Sequence, residues 1–307
     1  MAGERAKRFK KLSILIPVVM LPLGVWLGYR TFHDRSVAEV FAAVAAIPQL
    51  HLLAACGCVV ASYLCLTGFD TLAVRYVGHP VPYRKIALTS FVSLSIGHTV
   101  GVSALSSGTL RYRFYSGFGL SAVEVGKIVL FCGVTVGLGL MCLAGVAMLW
   151  RPDLGLGLLG LSPALARGVG ILCFALAGLY VLLAWRSKKA FTLRGHKFRL
   201  PPVHLAAGQI AIGTLNFTFV ATALHQLLAG AATYSQAITA YVLANVSGLV
   251  SHVPGGIGVL EYVISSLIKD GNVIGALIAF RILYFLIPLA FGISLLIAAE
   301  VVRWRRK

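Results

Sequence analysis

The stretch Ser251-His252-Val253-Pro254-Gly255-Gly256-Ile257-Gly258-Val259-Leu260-Glu261 sets four helix breakers within an apolar run, so one helix ends and another begins inside it. A break of this kind frees backbone N–H groups. The positive end of the second helix's dipole then faces the gap and favours a phosphate or a carboxylate. The same glycines suit a close helix contact. Glu261 lies in the first turn after the break, and Arg281 lies nine residues into a later apolar run. A charge at such depth costs at least ~2.5 kcal/mol unless it finds a partner. Two readings stand: the two residues pair and fix adjacent helices, or Arg281 meets a lipid phosphate while Glu261 changes partner or protonation.

A second cluster, Gly108-Thr109-Leu110-Arg111-Tyr112-Arg113-Phe114-Tyr115, joins two guanidinium forks to three aromatic rings. Arg suits bidentate phosphate recognition, and alternating Arg and Tyr also compose an ordinary membrane interface. Arg111 is read as functional and Arg113 as interfacial. Asp70 ends an apolar run shortly before Arg75-Tyr76, a candidate gate, ion-pair partner or helix cap. His98 and His252 have a side chain that titrates near pH 6.5 when unperturbed. They suit a proton relay, or the commoner hydrogen bond across a helix bundle. Asn245 and Ser247 read as interhelical polar contacts. The chain has no P-loop, no G-x-S-x-G elbow, no H-E-x-x-H pair and no paired acidic motif. The sequence therefore predicts no catalytic residue, no metal site, no cofactor and no ATP-driven step by this chain alone.

The elements that carry these residues are membrane helices. Of 307 residues, 59% are hydrophobic and 12% charged, with mean hydropathy +0.90. A soluble domain carries about 25% charged residues. Lys and Arg number 27 against 9 Asp and Glu, and they cluster at the ends of apolar runs. That is the pattern of a polytopic membrane protein, not of a nucleic-acid binder. Cys56, Cys58, Cys65, Cys132, Cys142 and Cys173 all lie in apolar segments without zinc-site spacing and read as packing residues.

Eight apolar blocks, 12–29, 50–69, 86–110, 128–150, 164–185, 203–228, 236–268 and 273–300, are long enough to be membrane segments. The first follows a basic stretch without a cleavage site and reads as a retained anchor. If all eight crossed, the loop with Arg186, Lys188, Lys189, Arg194, Lys197 and Arg199 would lie outside, against the positive-inside rule. Two re-entrant hairpins, 86–110 and 236–268, remove the conflict and bring both termini to the cytoplasmic side. Ser106-Ser107-Gly108 and Pro254-Gly255-Gly256 supply their turns. The predicted fold is an all-α integral membrane protein, a single transmembrane domain over 1–307, with six spans and two re-entrant hairpins. Residues 12–150 and 164–302 then read as an inverted-topology repeat, an architecture of secondary transporters.

Val37, Val40, Phe41, Val44 and Ile47 fit a short interfacial helix or a plain linker. Ser121 and Glu124 fit a capping box.

The chain resembles the transmembrane module of the lysylphosphatidylglycerol synthase/flippase family, in particular its stand-alone, YbhN-like inner-membrane members. Four stretches carry the resemblance: Phe69-Asp70 with Arg75-Tyr76; Arg111-Tyr112-Arg113-Phe114-Tyr115 with Gly119-Leu120; His252 to Glu261; and Arg281-Ile282-Leu283-Tyr284-Phe285-Leu286-Ile287-Pro288-Leu289. In full-length members the module flips aminoacylated phosphatidylglycerol beside a soluble synthase domain. Here the chain stops shortly after Glu300, so the synthase activity is not carried over. The resemblance implies headgroup binding or translocation by Asp70, Arg111, Glu261 and Arg281, with Arg113, His252, Pro254, Gly255, Gly256, Gly258 and Tyr284 in support.

The expected function is movement of a phospholipid or lipid-linked headgroup between leaflets of a bacterial cytoplasmic membrane without ATP. The expected partner is membrane phospholipid, with a second copy of the chain or a lipid-modifying enzyme as further candidates, and no nucleic acid. Two alternatives stay open: an intramembrane transferase or its accessory subunit, and an ion-coupled small-solute transporter.

Overall fold

Residues 37–100, 103–153, 160, 162–186, 190–193, 196–251, 258–269 and 271–305 are described by the computed structural model. The predicted span 12–29 and the break residues His252, Pro254, Gly255 and Gly256 lie outside them. The described chain begins with α1 (Val37–Ala45) and α2 (Gln49–Val77). It continues with α3 (Tyr83–Val100), α4 (Ser103–Ser116), α5 (Ala122–Trp150) and α6 (Pro163–Arg186). A small antiparallel pair, β1 (Ala190–Leu193) and β2 (His196–Arg199), aligns Ala190 with Arg199. Then follow α7 (Val203–Leu227), α8 (Tyr234–Ser251), α9 (Val259–Leu267), α10 (Val273–Arg281), a π-helical turn over Ile282–Leu286, and α11 (Ile287–Arg305).

Helices α2, α5, α6 and α7 and the compound helix Val273–Val302 are long and apolar enough to cross a membrane. They are the five predicted spans other than 12–29. Their outward faces are apolar as well: Ile171, Leu172, Phe174, Leu179 and Leu183 of α6 are exposed. Such a surface is stable only against lipid. The protein is an all-helical polytopic membrane protein apart from the short β-pair, which occupies part of the basic segment expected as a plain loop.

Helix α2 packs against α7, and α7 against α5, at the centre of the bundle. The α5–α7 crossing is made by glycines: a Cβ on Gly139 would stand 2.3 Å from the carbonyl carbon of Gly213. Without side chains at either position the backbones touch, which is how helices associate where lipid offers no hydrophobic drive. Ser62 of α2 donates to Asn216 Oδ1 of α7 at 2.7 Å across the same centre.

Contacts at the helix ends show where each hairpin enters and leaves. At one end, Lys85 of α3 stands 4.8 Å over the Phe118 ring that follows α4, and His79 lies 3.5 Å from Glu124 of α5. The α3–α4 hairpin therefore leaves and returns to a single end, and a Cβ on Gly97 would meet Ser107 between its arms. At the opposite end, His51 hydrogen-bonds Gln226 at 2.9 Å, and the Trp150 ring packs on Tyr234. Gly271, with φ +74°, lies so near Ala231 that a Cβ would fall 2.6 Å from its methyl carbon. The α8–α9 pair thus also leaves and returns to one end, opposite to the first.

One local expectation changes and two others gain detail. Ser106-Ser107-Gly108 is not the turn of the first hairpin, because α4 is already helical from Ser103. Ser107 instead accepts from Arg111 Nη1 one turn on, at 3.1 Å, an i, i+4 contact that adds support to the helix. The last span is not one continuous α-helix but changes to π geometry after Arg281. Residues 37–45 are helical, with Phe41 exposed and Ile47 buried just beyond, and α1 packs on α10. The Ser121–Glu124 capping box is present in both directions. All six cysteines are free.

Candidate functional site

Asp70 and Arg111 are among the most buried charged groups in the bundle, 0% and 2% exposed. Arg111 donates Nε to Asp70 Oδ1 at 2.9 Å and Nη2 to Oδ2 at 2.7 Å, and Tyr115 Oη adds a third bond to Oδ1 at 3.0 Å. The fork is met by both carboxylate oxygens, and Ser107 takes Nη1, so the pair is closed on itself. Asp70 lies about 10 Å inside the basic end by helical rise.

Glu261 and Arg281 form the second pair. Arg281 Nε donates to Glu261 Oε1 at 2.7 Å and Nη2 to Oε2 at 3.0 Å, and the guanidinium stands 4.9 Å over the Phe285 ring. Arg281 is 5% exposed, but the Glu261 side chain is 33% exposed. Gly258 opens α9 at φ +84° and donates its N–H to Glu261 Oε2 at 2.9 Å. The helix start therefore already holds an anion, the chain's own Glu261, where the sequence suggested a phosphate. Arg281 lies about 12 Å inside the end opposite the first pair.

Between the pairs lies an aromatic centre set by Pro288. A proline has no N–H, so it cannot serve the carbonyl four residues earlier, which is Tyr284. The helix answers with a π-turn, and Tyr63 Oη of α2 donates to the Tyr284 oxygen at 3.2 Å. Single π-turns recur at functional sites. The Tyr284 ring stacks on Phe280 at 5.5 Å and on His98 at 6.3 Å. His98 Nδ1 is buried with no hydrogen-bond partner among the described residues. Arg113 stands apart from both pairs, bonded to Glu300 of α11 through Nε at 2.7 Å. Asn245 bonds Tyr241 within its own helix. Among the described residues no cluster of His, Cys, Asp and Glu could hold a metal ion.

No family model matches the chain. The uncharacterized protein slr0712 of Synechocystis is 30% identical over 281 residues, covering 90% of this chain and 87% of that protein. The chain belongs to the slr0712 family. The inner membrane protein YbhN of Escherichia coli is 29% identical over 285 residues, covering 88% and 87%. This member of the slr0712 family is thus a YbhN-like polytopic membrane protein, similar to these relatives along most of its length.

In this slr0712-family chain the four central charges read from sequence all fall in two ion pairs. Depth and residue type identified them: Glu261 with Arg281 is the mutual pair that was one of the two readings. Asp70 is an ion-pair partner, as one of its readings had it, but its partner being Arg111, across from α2 to α4, had no sequence signal. Tyr63 was missed, although Pro288 four residues after Tyr284 signals an orphaned carbonyl. Tyr180 and Gln209 were missed too: Tyr180 Oη donates to Gln209 Oε1, and Gln209 Nε2 donates to the Phe131 carbonyl and Thr135 Oγ1, both at 3.1 Å. A glutamine within an apolar run was the one clue to that network.

Proposed function

We propose that the protein is a phospholipid translocase of a bacterial inner membrane, moving an anionic headgroup between leaflets without ATP. The observation that carries the reading is the unequal pair of ion pairs, one inside each end of the bundle, each joining a span to one of two hairpins that enter from opposite ends. The Asp70–Arg111 pair is fully enclosed and fixed. Glu261 is bound to its own helix start as well as to Arg281, so it can release the guanidinium without becoming an unpaired buried charge. A lipid phosphate then meets the Arg281 fork in its place, with the same two-point geometry. The acyl chains stay in the bilayer while the headgroup follows the polar interior.

Two further features support this. The described contacts map onto one another when the halves are exchanged: α2 on α5 with α7 on α10, α4 on α5 with α9 on α10, α3 on α11 with α8 on α5. That correspondence favours an inverted repeat of 12–150 and 164–302, the arrangement by which transporters alternate access. Arg75, Arg84, Lys85, Lys127, Arg186 and Arg199 gather at one end, which by the positive-inside rule is cytoplasmic. The relative YbhN is named an inner membrane protein.

The test is movement of fluorescent phosphatidylglycerol and phosphatidylcholine in proteoliposomes. Wild type moves phosphatidylglycerol, Arg281→Ala falls to the rate of protein-free vesicles, and Glu261→Gln lies between. Full transport by Arg281→Ala sinks the reading. Chemical conversion of the labelled lipid replaces it with an intramembrane transferase.

A further inference from the structure

Away from the ion pairs, a cavity of about 180 Å³ opens at the basic end between α5, α6, α7 and the end of α2, with Lys127, Tyr76, Tyr180, Arg199 and Gln209 in its lining. Lys127 and Arg199 have no carboxylate partner among the described residues. The Tyr76 hydroxyl donates to the Arg199 carbonyl and so holds that residue at the mouth. Tyr76 also stacks on Phe131 at 5.3 Å, closing the wall. Gln209, 1% exposed, is held at the floor by its bonds to Tyr180, Phe131 and Thr135.

A second space of about 570 Å³ follows along the same three helices, walled by Cys142, Phe174, Ala177, Gly178, Ile210 and Leu215. It is apolar and open to the lipid side. The two spaces are lined by successive stretches of the same helices, with Tyr180 beside Val181 in α6 and Gln209 beside Ile210 in α7. On α5 the combined lining runs on from Phe131 to Val146, about 22 Å by helical rise, which is more than the ~15 Å of half a bilayer's hydrocarbon core. A cationic mouth at headgroup level, followed along the same helices by an apolar groove long enough for an acyl chain of one leaflet, has the complementarity of an anionic phospholipid of that leaflet.

We infer that this cleft holds an anionic phospholipid from the leaflet at the basic end, its phosphate between Lys127 and Arg199 and an acyl chain along α5, α6 and α7. The site deepens the translocase reading and rests on it for its role: it is where a lipid waits before its headgroup reaches the central pairs. Neither Lys127 nor Arg199 touches those pairs.

The experiment uses the purified full chain in detergent micelles with photoreactive phosphatidylglycerol or phosphatidylcholine, with cross-linked peptides mapped by mass spectrometry. Wild type captures phosphatidylglycerol in preference, on peptides of α5, α6 and α7. One basic side chain beside anionic lipid contributes a factor of about five, so Lys127→Gln with Arg199→Gln lowers capture about twenty-five-fold and removes the preference. Gly178→Leu fills the groove, since a Cβ there meets nothing within 4 Å, and lowers capture of both lipids. Unchanged capture by the charge variant, or cross-links confined to peptides outside the cleft, overturns the site. Transport run on the same preparations separates the two claims. A wild type that captures lipid in the cleft but moves none overturns translocation and leaves the cleft standing.

Discussion

Glu261 receives Arg281 through both carboxylate oxygens while a third of its own side chain stays exposed. The partners therefore differ in what they lose on separation. Glu261 keeps the Gly258 N–H, the helix dipole and access to a more polar environment. Arg281, 5% exposed, keeps the face of Phe285 but has far less access to a polar environment. Breaking a buried pair by removing one partner costs about 3–5 kcal/mol when the other charge is left uncompensated. Glu261→Ala is accordingly expected to lower the thermal midpoint in detergent clearly more than Arg281→Met, which replaces the guanidinium with an apolar chain. Equal losses would show that Glu261 is not independently held.

For the enclosed pair the expectation is symmetric. Asp70→Ala and Arg111→Ala each destabilise by about 3–5 kcal/mol, whereas the double change Asp70→Leu with Arg111→Met returns near wild-type stability. Unfolding in detergent on the three variants checks this, and a double variant as unstable as either single one contradicts it.

The Tyr63 bond to the Tyr284 carbonyl exists because Pro288 offers no N–H. Tyr63→Phe should destabilise by about 1–3 kcal/mol by leaving that carbonyl unserved. In a Pro288→Ala background a backbone donor is restored, and the same Tyr63→Phe change should cost almost nothing. The non-additivity of this cycle is the measurement.

At the α5–α7 crossing, Gly139→Ala forces backbones apart and should destabilise by several kcal/mol, at the upper end of about 1–3 kcal/mol for overpacking or beyond it. Gly133→Ala on the same helix meets open space and should be neutral or stabilising by up to about 1 kcal/mol. Melting curves of the two variants make the comparison.

Topology is testable in intact cells with a membrane-impermeant thiol reagent. On a cysteine-free background, Arg84→Cys and Ser116→Cys flank the first hairpin and stay protected, whereas Thr233→Cys and Lys269→Cys flank the second and are labelled. Opposite reactivity within either flanking pair breaks the hairpin arrangement.

The amino-acid sequence by itself determined the solvent of this protein, because apolar runs near twenty residues long leave their backbone groups no choice but helices in lipid. It determined five described spans, three of them to within two residues of the helix and the others short by eight residues at the end of α2 and six at the start of α5, together with the Ser121 cap and which charges lie too deep to be unpartnered. It also suggested both hairpins, since excess Lys and Arg must be kept on one side. It placed the first turn wrongly, because Ser106-Ser107-Gly108 is weak in isolation but lies in a helix packed against α3 and supported by the Arg111–Ser107 contact. Only the tertiary structure decided which carboxylate meets which guanidinium, since those partners stand on different helices and pairing depends on three-dimensional register. It alone showed that Glu261 serves its helix start and Arg281 together, and that Lys127 and Arg199 share a mouth with Tyr180 and Gln209. Composition and periodicity are local and fix the medium and the helices. Charge pairing and cavities depend on distances between segments far apart in the chain, which only packing sets.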